Sequence, residues 1–298
     1  MTETPLEAAT RVFLGHRELL FSIVYNMLGI VADTEDVLQE TWLAWAGRSA
    51  DDDIVNPRAY LVRIAVNRAL ARQTSIIRRR EEYVGPWLPE PVITPTDPAV
   101  QAESVSMALM VVLETLTPLE RAVFVLNEVF GYAHTEIAGI LDRSPSAIRQ
   151  LAHRAREHVQ ARRPRFQTDP QVQQQVTERF VEAVIGGDLN ALMEVLAPDV
   201  TMWADGGGKA RAAGLRSLQG REKIARLIVG DANRRPIPEL GVSFRRINGD
   251  PSALLLSGDT PYAVIVLDLT ADGHQVAGIY AVTNPDKLSH LAVTGENR

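Results

Sequence analysis

Hydrophobic residues recur every three or four positions over residues 6–78, a period that predicts amphipathic helices. The pattern is clearest in "RVFLGHRELLFSIVYNMLG" and in "TEDVLQETWLAWA", where Thr34 is predicted to cap the second helix. After the polar break "SADDDIVNP", a third helix is predicted to begin at Pro57 and to run through "RAYLVRIAVNRALARQ". Three such helices can bury one small core, so this segment is predicted to be an all-α domain.

A second helical pattern begins near residue 104. Within it, "TPLE" has the residues of a capping box, in which Thr117 caps a helix and Glu120 reaches back to the cap. Gly131 is predicted to end that helix, and "HTEIAGIL" is predicted to form a short one. Ser144 and Pro145 are predicted to begin the next helix after the tight turn "DRS". This segment is predicted to be a second all-α domain.

The two helical segments are separated by a proline-rich stretch, "YVGPWLPEPVITPTDPAV", with five prolines between residues 86 and 98. Proline disfavours both helix and central strand, so the stretch is predicted to be a semi-rigid linker. A plain spacer is one interpretation. Because Trp87 and Leu88 are large apolar residues, contact between this linker and a neighbouring domain is the other.

After residue 170 the pattern changes from helical to alternating. Residues 171–197 are predicted to be helical, and five strands follow between Gly, Asn and Asp turns. These strands are predicted in "VTMWADGGG", "VSFRRING", "SALLLSGD", "PYAVIVLDLT" and "HQVAGIYAVT". The predicted organisation is two all-α domains at residues 6–80 and 104–165, a linker at 81–103, and an α+β domain at 170–298.

Charge is distributed unevenly along this chain of 298 residues, whose net charge is −6. Residues 58–80 contain seven arginines and no acid, and residues 143–165 contain seven arginines and one glutamate. Local positive patches on an acidic protein indicate a polyanionic partner. The sequence has no cysteine, no metal-ligand pattern and no run of 18 apolar residues, so we expect a cytoplasmic protein without metal, cofactor or membrane contact.

The helix predicted to begin at Pro145 is amphipathic at 100° per residue. One stripe is apolar and must face a core; it consists of Ile148, Leu151, Ala152, Ala155 and Val159. The other side carries hydrogen-bond donors and cations; it consists of Ser146, Arg149, Gln150, His153 and Gln160, with Arg154 and Arg156 on its flanks. A short helix, a tight turn and a basic second helix are the pattern of a helix-turn-helix that enters the major groove. A solvated basic face on an ordinary helical hairpin is the alternative.

Considered together, the two helical segments resemble a known family. "DTEDVLQETWLAWAGR" followed by "NPRAYLVRIAVNRALARQ" is similar to region two of extracytoplasmic-function RNA polymerase sigma factors. "LTPLERAVFVLNEVFGYAHTEIAGILDRSPSAIRQLAHRARE" is similar to their region four. In that family, region two binds the polymerase clamp and melts the minus-ten promoter element, and region four binds the flap and reads the minus-thirty-five element. The resemblance implies that core RNA polymerase and promoter DNA are the partners.

The resemblance also assigns roles to residues. The residues it implies for polymerase binding are Asp36, Gln39, Glu40 and Trp42. The residues it implies for DNA contact in the third helix are Arg58, Tyr60, Arg63, Asn67, Arg68 and Arg72. Because these arginines wind around their helix, we expect one or two of them to form structural ion pairs. Tyr60 could equally lie in the core.

The α+β domain is similar in its order of elements to the SnoaL-like domains of the NTF2-like superfamily, which form a cone with a pocket. Three short stretches, "WLPEP", "DGGGK" and "NPDKL", resemble motifs of sigma factors with such a fused domain. The regulatory contacts implied by these motifs involve Trp87, Leu88, Pro89, Asp205, Gly206, Gly207, Gly208, Lys209, Asn284, Pro285, Asp286, Lys287 and Leu288. Two of only three lysines in the chain, Lys209 and Lys287, fall within these motifs.

The leading interpretation is an alternative sigma factor whose C-terminal domain regulates it and performs no catalysis. An NTF2-like hydrolase or isomerase, with Asp205 as acid or base, is one alternative. A helix-turn-helix regulator with a ligand-sensing domain is another. Each of these interpretations allows a small-molecule ligand in the pocket of the C-terminal domain. Asp205 and Lys209 could pair with each other, contact the pocket or face solvent.

Overall fold

The computed structural model describes residues 4–48, 54–94, 104–162, 169–210 and 214–291. Two compact units divide these residues. The helical unit comprises 4–48, 54–81, 104–105 and 112–162, and the α+β unit comprises 82–94, 106–111, 169–210 and 214–291. The second half of the predicted linker, part of the break "SADDDIVNP" and the predicted boundary near residue 165 lie outside the described residues.

The helical unit begins with four helices. They are α1 Pro5–Leu14, α2 Arg17–Leu28, α3 Val31–Ala46 and α4 Pro57–Glu81. Side chains such as Leu20, Val37 and Leu61 are completely buried between α2, α3 and α4. Trp45 is buried as well, and its indole N–H donates to the carbonyl of Ala9 at 2.9 Å. The predicted all-α core of this segment is confirmed.

The last three of the remaining helices begin where predicted, and the first, predicted to begin near residue 104, begins at Met107. They are α5 Met107–Leu113, α6 Pro118–Phe124, α7 His134–Leu141 and α8 Pro145–Arg162, with α5 beginning in the α+β unit and ending in this one. Thr117 and Glu120 form the predicted capping box of α6. Helix α6 continues into a π-helical turn over Val125–Val129, a widening that the sequence pattern did not predict.

The predicted cap at Thr34 is wrong. Helix α3 begins at Val31, because Gly29 ends α2 in a left-handed conformation and leaves Ile30 as the residue before the helix. Thr34 lies inside α3, where its buried hydroxyl donates to the carbonyl of Ile30 at 2.7 Å. The hydroxyl of a threonine inside a helix commonly donates to a carbonyl of the preceding turn in this way. The presence of Thr34 in the sequence therefore did not identify the start of the helix.

The α+β unit consists of one mixed sheet with helices. Its elements are α9 Pro170–Ile185, α10 Leu189–Val195, β1 Leu196–Asp205, β2 Leu218–Gln219, α11 Arg221–Arg234, β3 Leu240–Ile247, β4 Asp250–Ser257, β5 Thr260–Leu269, β6 Val276–Val282 and α12 Pro285–Leu288. The strand order is β2-β1-β6-β5-β4-β3, and β1 pairs with β6 in parallel while the other neighbours are antiparallel. The predicted α+β class is confirmed.

Two details of this unit differ from the sequence-based expectation. The helix predicted over residues 171–197 is two helices, because a turn at Gly186 and Gly187 separates them and Asp188 caps the second. Its last two residues belong to β1. Helix α11 and the two-residue strand β2 were not predicted at all.

Side chains alternate between the two faces of the sheet. One face packs against α9, α10 and α11 through residues such as Ala253, Leu267 and Ile279. The opposite face carries Leu254, Val264, Val266, Tyr280 and Val282, among others. That second face is covered by Leu88 of the linker, by Met107, Ala108 and Val111 of α5, and by Leu288 and Leu291 near the C-terminus.

The first half of the linker also extends the edge of the sheet. The amide of Thr94 donates to the carbonyl of Arg246 at 2.8 Å, and the amide of Asn248 donates to the carbonyl of Val92 at 2.9 Å. The Asn248 side chain accepts from the amide of Val92 at 3.0 Å. Linker residues 82–94 are therefore folded as part of the α+β unit. No helix among the described residues is both long enough and apolar enough to span a bilayer.

Candidate functional site

Helix α8 has the amphipathic character predicted for it. Ile148, Ala152, Ala155 and Val159 are buried, and Leu151 is half-buried, which confirms the predicted core stripe. The described turn before it has three residues and includes Asp142 in a left-handed conformation. The polar residues of the opposite side are exposed; they are Ser146, Arg149, Gln150 and His153. Arginine and glutamine are the side-chain types that match guanine and adenine edges in a major groove.

The two flanking arginines of α8 differ. Arg156 donates from Nε to Glu128 at 2.6 Å and from Nη2 to the side chain of Asn127 at 3.1 Å. Asn127 in turn donates to the carbonyl of Tyr132 at 2.9 Å. Arg156 thus ties α8 to the π-helical turn. Arg154 is exposed, with its Nε 3.6 Å from a carboxylate oxygen of Glu120.

Several candidate DNA-contacting residues of α4 touch the second helical segment. The Asn67 side chain donates to the carbonyl of Ile140 in α7 at 3.0 Å. The guanidinium of Arg58 lies 5.7 Å from the ring centroid of Tyr132. The ring of Tyr60 contacts that of Trp45, with 5.9 Å between centroids. Among the described residues of this helix, Arg63 is exposed on the surface.

Arg72 of α4 is surrounded by carboxylates of α3. Its guanidinium lies 2.6 Å from Asp36, 2.8 Å from Glu40 and 3.4 Å from Asp33. The hydrogen bond to Asp36, with the charges of all three acids, raises the pKa of Arg72 although burial opposes the shift. Arg68 adds a second contact to Glu40 at 2.8 Å. The structure therefore brings candidates for polymerase binding and candidates for DNA binding into direct contact.

The other polymerase-binding candidates lie on the same helix α3. Gln39 is exposed, and Trp42 is half-buried with its ring 5.5 Å from that of Phe13 in α1. The adjacent pair Arg17 and Glu35, at 2.7 Å, joins α2 to α3 without involving α4. Asp33 is buried and binds Arg79 at 2.6 Å.

A largely buried group of charges joins α4 to α6 through Glu114; we call Arg80, Glu114 and Arg121 the Glu114 cluster. Glu114 accepts from Arg80 Nη2 at 3.0 Å and pairs with Arg121 Nη1 at 2.8 Å. Arg121 also donates from Nε to the carbonyl of Asn26 at 3.0 Å. Burial lowers the pKa of Arg80 and that of Arg121 to about 9, which leaves both side chains charged at neutral pH. Nothing in the sequence pattern marked these residues, because charged side chains are normally exposed.

The three short motifs meet around a second buried group of charges in the α+β unit, which we call the Asp205 cluster (Tyr83, Asp205 and Lys287 with the backbone of Leu88). Asp205 Oδ2 accepts from the amide of Leu88 and from Lys287 Nζ, each at 2.8 Å. Asp205 Oδ1 accepts from the hydroxyl of Tyr83. Lys287 also donates to the carbonyl of Leu88. Asp205 and Lys287 are almost completely buried, so the pair fixes the linker to the sheet.

Aromatic rings and an asparagine complete this cluster. Lys287 Nζ lies 3.5 Å from the ring centroid of Trp87 and 5.0 Å from that of Tyr83, in cation–π geometry. Asn284 donates from Nδ2 to the Tyr83 hydroxyl at 2.8 Å, and its side-chain oxygen caps α12 at the amide of Asp286. Burial, with Asp205 nearby, raises the pKa of Tyr83. Tyr83 was not among the predicted site residues, because it precedes the "WLPEP" motif and carries no pattern of its own.

The remaining residues of the three motifs have simpler positions. Lys209 pairs with Asp286 on the surface at 2.5 Å, so the lysines of the two motifs bind each other's aspartates. A Cβ on Gly207, whose φ is +59°, would lie 2.4 Å from Asn284 Nδ2. Gly208, φ +71°, packs against Val84. Pro89, Gly206 and Leu288 are buried, and Pro285 is exposed at the start of α12.

Comparison with known proteins agrees with this organisation. Residues 12–79 match the Sigma-70 region 2 family, and residues 106–159 match Sigma-70, region 4. The ECF RNA polymerase sigma factor SigJ of Mycobacterium tuberculosis is 38% identical over 291 residues, which cover 93% of this chain and 92% of SigJ. The probable ECF RNA polymerase sigma factor SigI of the same organism is 29% identical over 96% of each chain.

The fold is shared as well. The crystal structure of the extracytoplasmic function sigma factor SigJ from Mycobacterium tuberculosis superimposes with a TM-score of 0.71 at 33% identity, covering 92% of this chain and 96% of that one. Helical sigma regions two and four followed by an α+β domain are thus common to both proteins. On this similarity over nearly its whole length, the chain belongs to the ECF RNA polymerase sigma factors.

Proposed function

We propose that this sigma factor directs core RNA polymerase to promoters with three of its helices. Helix α8 reads the minus-thirty-five element through Arg149, Gln150 and His153, and α4 contacts the minus-ten element. Helix α3 binds the polymerase clamp through Asp36, Gln39 and Glu40. The observation that carries the proposal is the exposed donor and cation face of α8, with its opposite stripe buried and a three-residue turn before it.

The compact helical unit must open for this function. The minus-ten and minus-thirty-five elements are about 25 base pairs apart, or about 85 Å of duplex at about 3.4 Å per base pair. A compact unit of about 140 residues has a radius of gyration of about 14 Å, too small for its two helical segments to reach both elements at once. Contacts such as that of Asn67 with Ile140 belong to the closed state and break when the promoter is bound.

We propose that the α+β domain regulates this opening through the linker. Residues 82–94 are folded onto its sheet by the Asp205 cluster and by the pairing of Val92 and Thr94 with β3. A linker held in this way has less freedom to extend, so the domain limits the separation of the two helical segments. Release of residues 82–94 lengthens the tether between them.

The same contacts argue against a catalytic role for Asp205. An acid or base needs a carboxylate oxygen that can reach a substrate, and both oxygens of Asp205 already accept hydrogen bonds from the linker and Lys287. Membership of a family of transcription initiation factors likewise supports a non-catalytic domain. A pocket ligand is not needed for the regulation proposed here.

Transcription in vitro tests the promoter-binding proposal. The full chain with core polymerase is expected to initiate from a subset of a promoter library, and Arg149→Ala is expected to lower initiation by about 10-fold, since a bidentate guanine contact contributes about 1–3 kcal/mol. Arg226→Ala, which removes an exposed arginine from α11, is the control with the same charge change. Equal activities of the two variants would contradict the proposal that α8 reads the promoter. If the unaltered chain does not initiate transcription with core polymerase, the proposed function is rejected.

Regulation is best tested with a point variant in the full chain. A truncation near residue 165 would strip the sheet from Leu88 and Met107, which lie in its core. Lys287→Met removes the cation that holds the linker and replaces it with an unbranched apolar side chain of similar length. Lys209→Met is the control at an exposed lysine. The proposal expects only Lys287→Met to change initiation; identical profiles for the variants and the unaltered chain contradict it.

A further inference from the structure

The acids of α3 and the arginines of α4 form two facing stripes. The acidic stripe consists of Asp33, Asp36 and Glu40, and the arginine stripe consists of Arg68, Arg72 and Arg79. Spacings of three and four place the members of the acidic stripe on one side of their helix, and spacings of four and seven do the same for the arginine stripe. Each acid of one stripe has an arginine partner in the other.

Two acids of this interface, Asp36 and Glu40, are more exposed to solvent than Arg72. The side chain of Asp36 is 60% exposed and that of Glu40 is 40% exposed, whereas Arg72 beneath them is only 23% exposed. A partner approaching α3 therefore meets the carboxylates first. DNA approaching α4 meets an Arg72 whose guanidinium is already bound by three acids.

We propose that the acidic stripe masks the arginine stripe in the free chain, and that polymerase binding at Asp36 and Glu40 releases Arg68 and Arg72 to bind DNA phosphates. This inference rests on the proposed function, which assigns the clamp contact to α3 and the minus-ten contact to α4. A cationic surface on polymerase replaces the arginines as partner of the acids, so no carboxylate is left unpaired. The released arginines then take phosphates in place of carboxylates.

Exchange of this kind is favoured by the exposure of the pairs. Half-exposed ion pairs contribute little to stability, because water solvates both partners when they separate. Asp33 differs: it is buried and keeps Arg79 as a partner when Arg72 leaves, so the packing of α3 on α4 survives the exchange. By linkage, polymerase raises the affinity for DNA by the same factor by which DNA raises the affinity for polymerase.

The free chain without polymerase provides the test, because unmasking can be imitated by substitution. Asp36→Asn combined with Glu40→Gln removes the competing charges and is expected to tighten binding to a labelled, mixed-sequence single-stranded DNA. Two additional phosphate contacts steepen the salt dependence by about 1.4 in log–log slope, equivalent to at least about 10-fold in affinity at 0.1 M salt. Fluorescence anisotropy over a salt series measures both quantities.

Glu18→Gln combined with Glu35→Gln is the matched control. It removes two exposed acids from α2 and α3, and it frees Arg17 where the test variant frees arginines of α4. Its affinity for DNA is expected to rise by no more than about 2-fold, from net charge alone. An increase in the control equal to that of the test variant would overturn the proposal.

A second set of variants guards against a change in folding. Adding Arg68→Gln and Arg72→Gln to the test variant restores the charge balance between the two stripes and is expected to abolish the gain in DNA affinity. Persistence of the gain in this quadruple variant contradicts the proposal. Failure of the unaltered chain to initiate with polymerase rejects the proposed function, whereas successful initiation without a gain in the test variant rejects only the masking.

Discussion

The two buried charge clusters of this protein are built differently. In the Glu114 cluster of the helical unit, one carboxylate serves two arginines, and Arg121 Nη2 is buried without a hydrogen-bond acceptor among the described residues. In the Asp205 cluster of the α+β unit, one carboxylate serves one lysine, a tyrosine hydroxyl and a backbone amide. In the first, two cations share one carboxylate, and in the second one cation pairs with one carboxylate.

This difference matches the roles proposed for the two units. A buried charge without full compensation is costly, so the Glu114 cluster stabilises the closed helical unit less than its contacts suggest. Opening returns Arg80 and Arg121 to water and recovers part of that cost. The Asp205 cluster has little to gain from solvent, because the Asp205 carboxylate, the Lys287 ammonium group and the Leu88 backbone are hydrogen-bonded to one another. The Glu114 cluster is therefore suited to a contact that breaks when the helical unit opens, and the Asp205 cluster is suited to holding the linker on the sheet.

The largest effect is expected at Glu114. Glu114→Gln removes the carboxylate that pairs with both Arg80 and Arg121, and breaking a buried ion pair costs about 3–5 kcal/mol, here at the upper end because two cations lose this contact. Chemical unfolding followed by circular dichroism measures the loss. Glu157→Gln, on the exposed face of α8, is the control and is expected to stay within about 0.5 kcal/mol of the unaltered chain. Equal losses in the two variants would show that the cluster is already solvated.

A smaller effect is expected at Asp205. Asp205→Asn removes the charge that Lys287 needs, but Lys287 keeps the carbonyl of Leu88 and the ring of Trp87, so the expected cost is at the lower end of about 3–5 kcal/mol. Hydrogen exchange of residues 82–94 is the sharpest readout, since the linker is expected to lose protection before the sheet does.

Asp286→Asn is the matched control for that substitution. Asp286 pairs with Lys209 on the surface, where an ion pair contributes about 0–1 kcal/mol. Its linker amides are expected to stay protected. Loss of linker protection in both variants would mean that charge in the motifs as a whole, and not the buried pair, holds residues 82–94.

Two glycines provide a third and weaker test, with opposite signs in the two units. Gly207→Ala places a Cβ against Asn284 at a left-handed backbone position, with an expected cost of about 1–3 kcal/mol. Gly139→Ala lies in α7 with nothing within 4 Å of the added Cβ, so it is expected to stabilise the helical unit by about 0.5–1 kcal/mol. Thermal unfolding of both variants checks the signs. A stabilising Gly207→Ala would mean that Asn284 moves aside without loss.

The sequence predicted the elements of both units better than it predicted their charge contacts. The core stripe of α8 and the capping box at Thr117 depend on local periodicity and residue type, so both could be identified directly. The partners of Asp205 could not. Lys287, Tyr83 and the amide of Leu88 are about 80 to 120 residues away in the chain, and no local pattern encodes such a meeting.

The same limit applies to the helical unit. Arg68 and Arg72 were expected to face DNA because of their charge and helix, and one or two of the arginines were expected to form ion pairs. The identity of the acids was not predicted. Only the packing of α3 on α4 shows that they include Asp36 and Glu40, which were assigned to a different partner. The burial of Arg121 was not predicted, because the sequence does not distinguish a buried arginine from an exposed one.

Alkaline pH is expected to act on the two clusters in opposite directions. Arginine in an unfolded chain has a pKa of about 12.5 or higher, and burial lowers those of Arg80 and Arg121 to about 9. Above pH 9 the unfolded helical unit therefore holds more protons than the folded one, and its stability rises with pH. The pKa of Tyr83 is raised by burial and Asp205, so above about pH 10 only the unfolded α+β unit loses that proton, and its stability falls.

Because the chain has no cysteine, one introduced at Glu157 or at Arg226 can carry a fluorophore that reports on a single unit. Urea midpoints measured from pH 8 to pH 10.5 are expected to diverge, with the α8 label moving up relative to the α11 label. Arg121→Met removes part of the rise and Tyr83→Phe removes the fall, so each variant isolates one cluster. Midpoints that move together in the unaltered chain would mean that the two clusters do not differ in buried charge. Buried charge would then not explain why the helical unit opens while the Asp205 cluster stays intact.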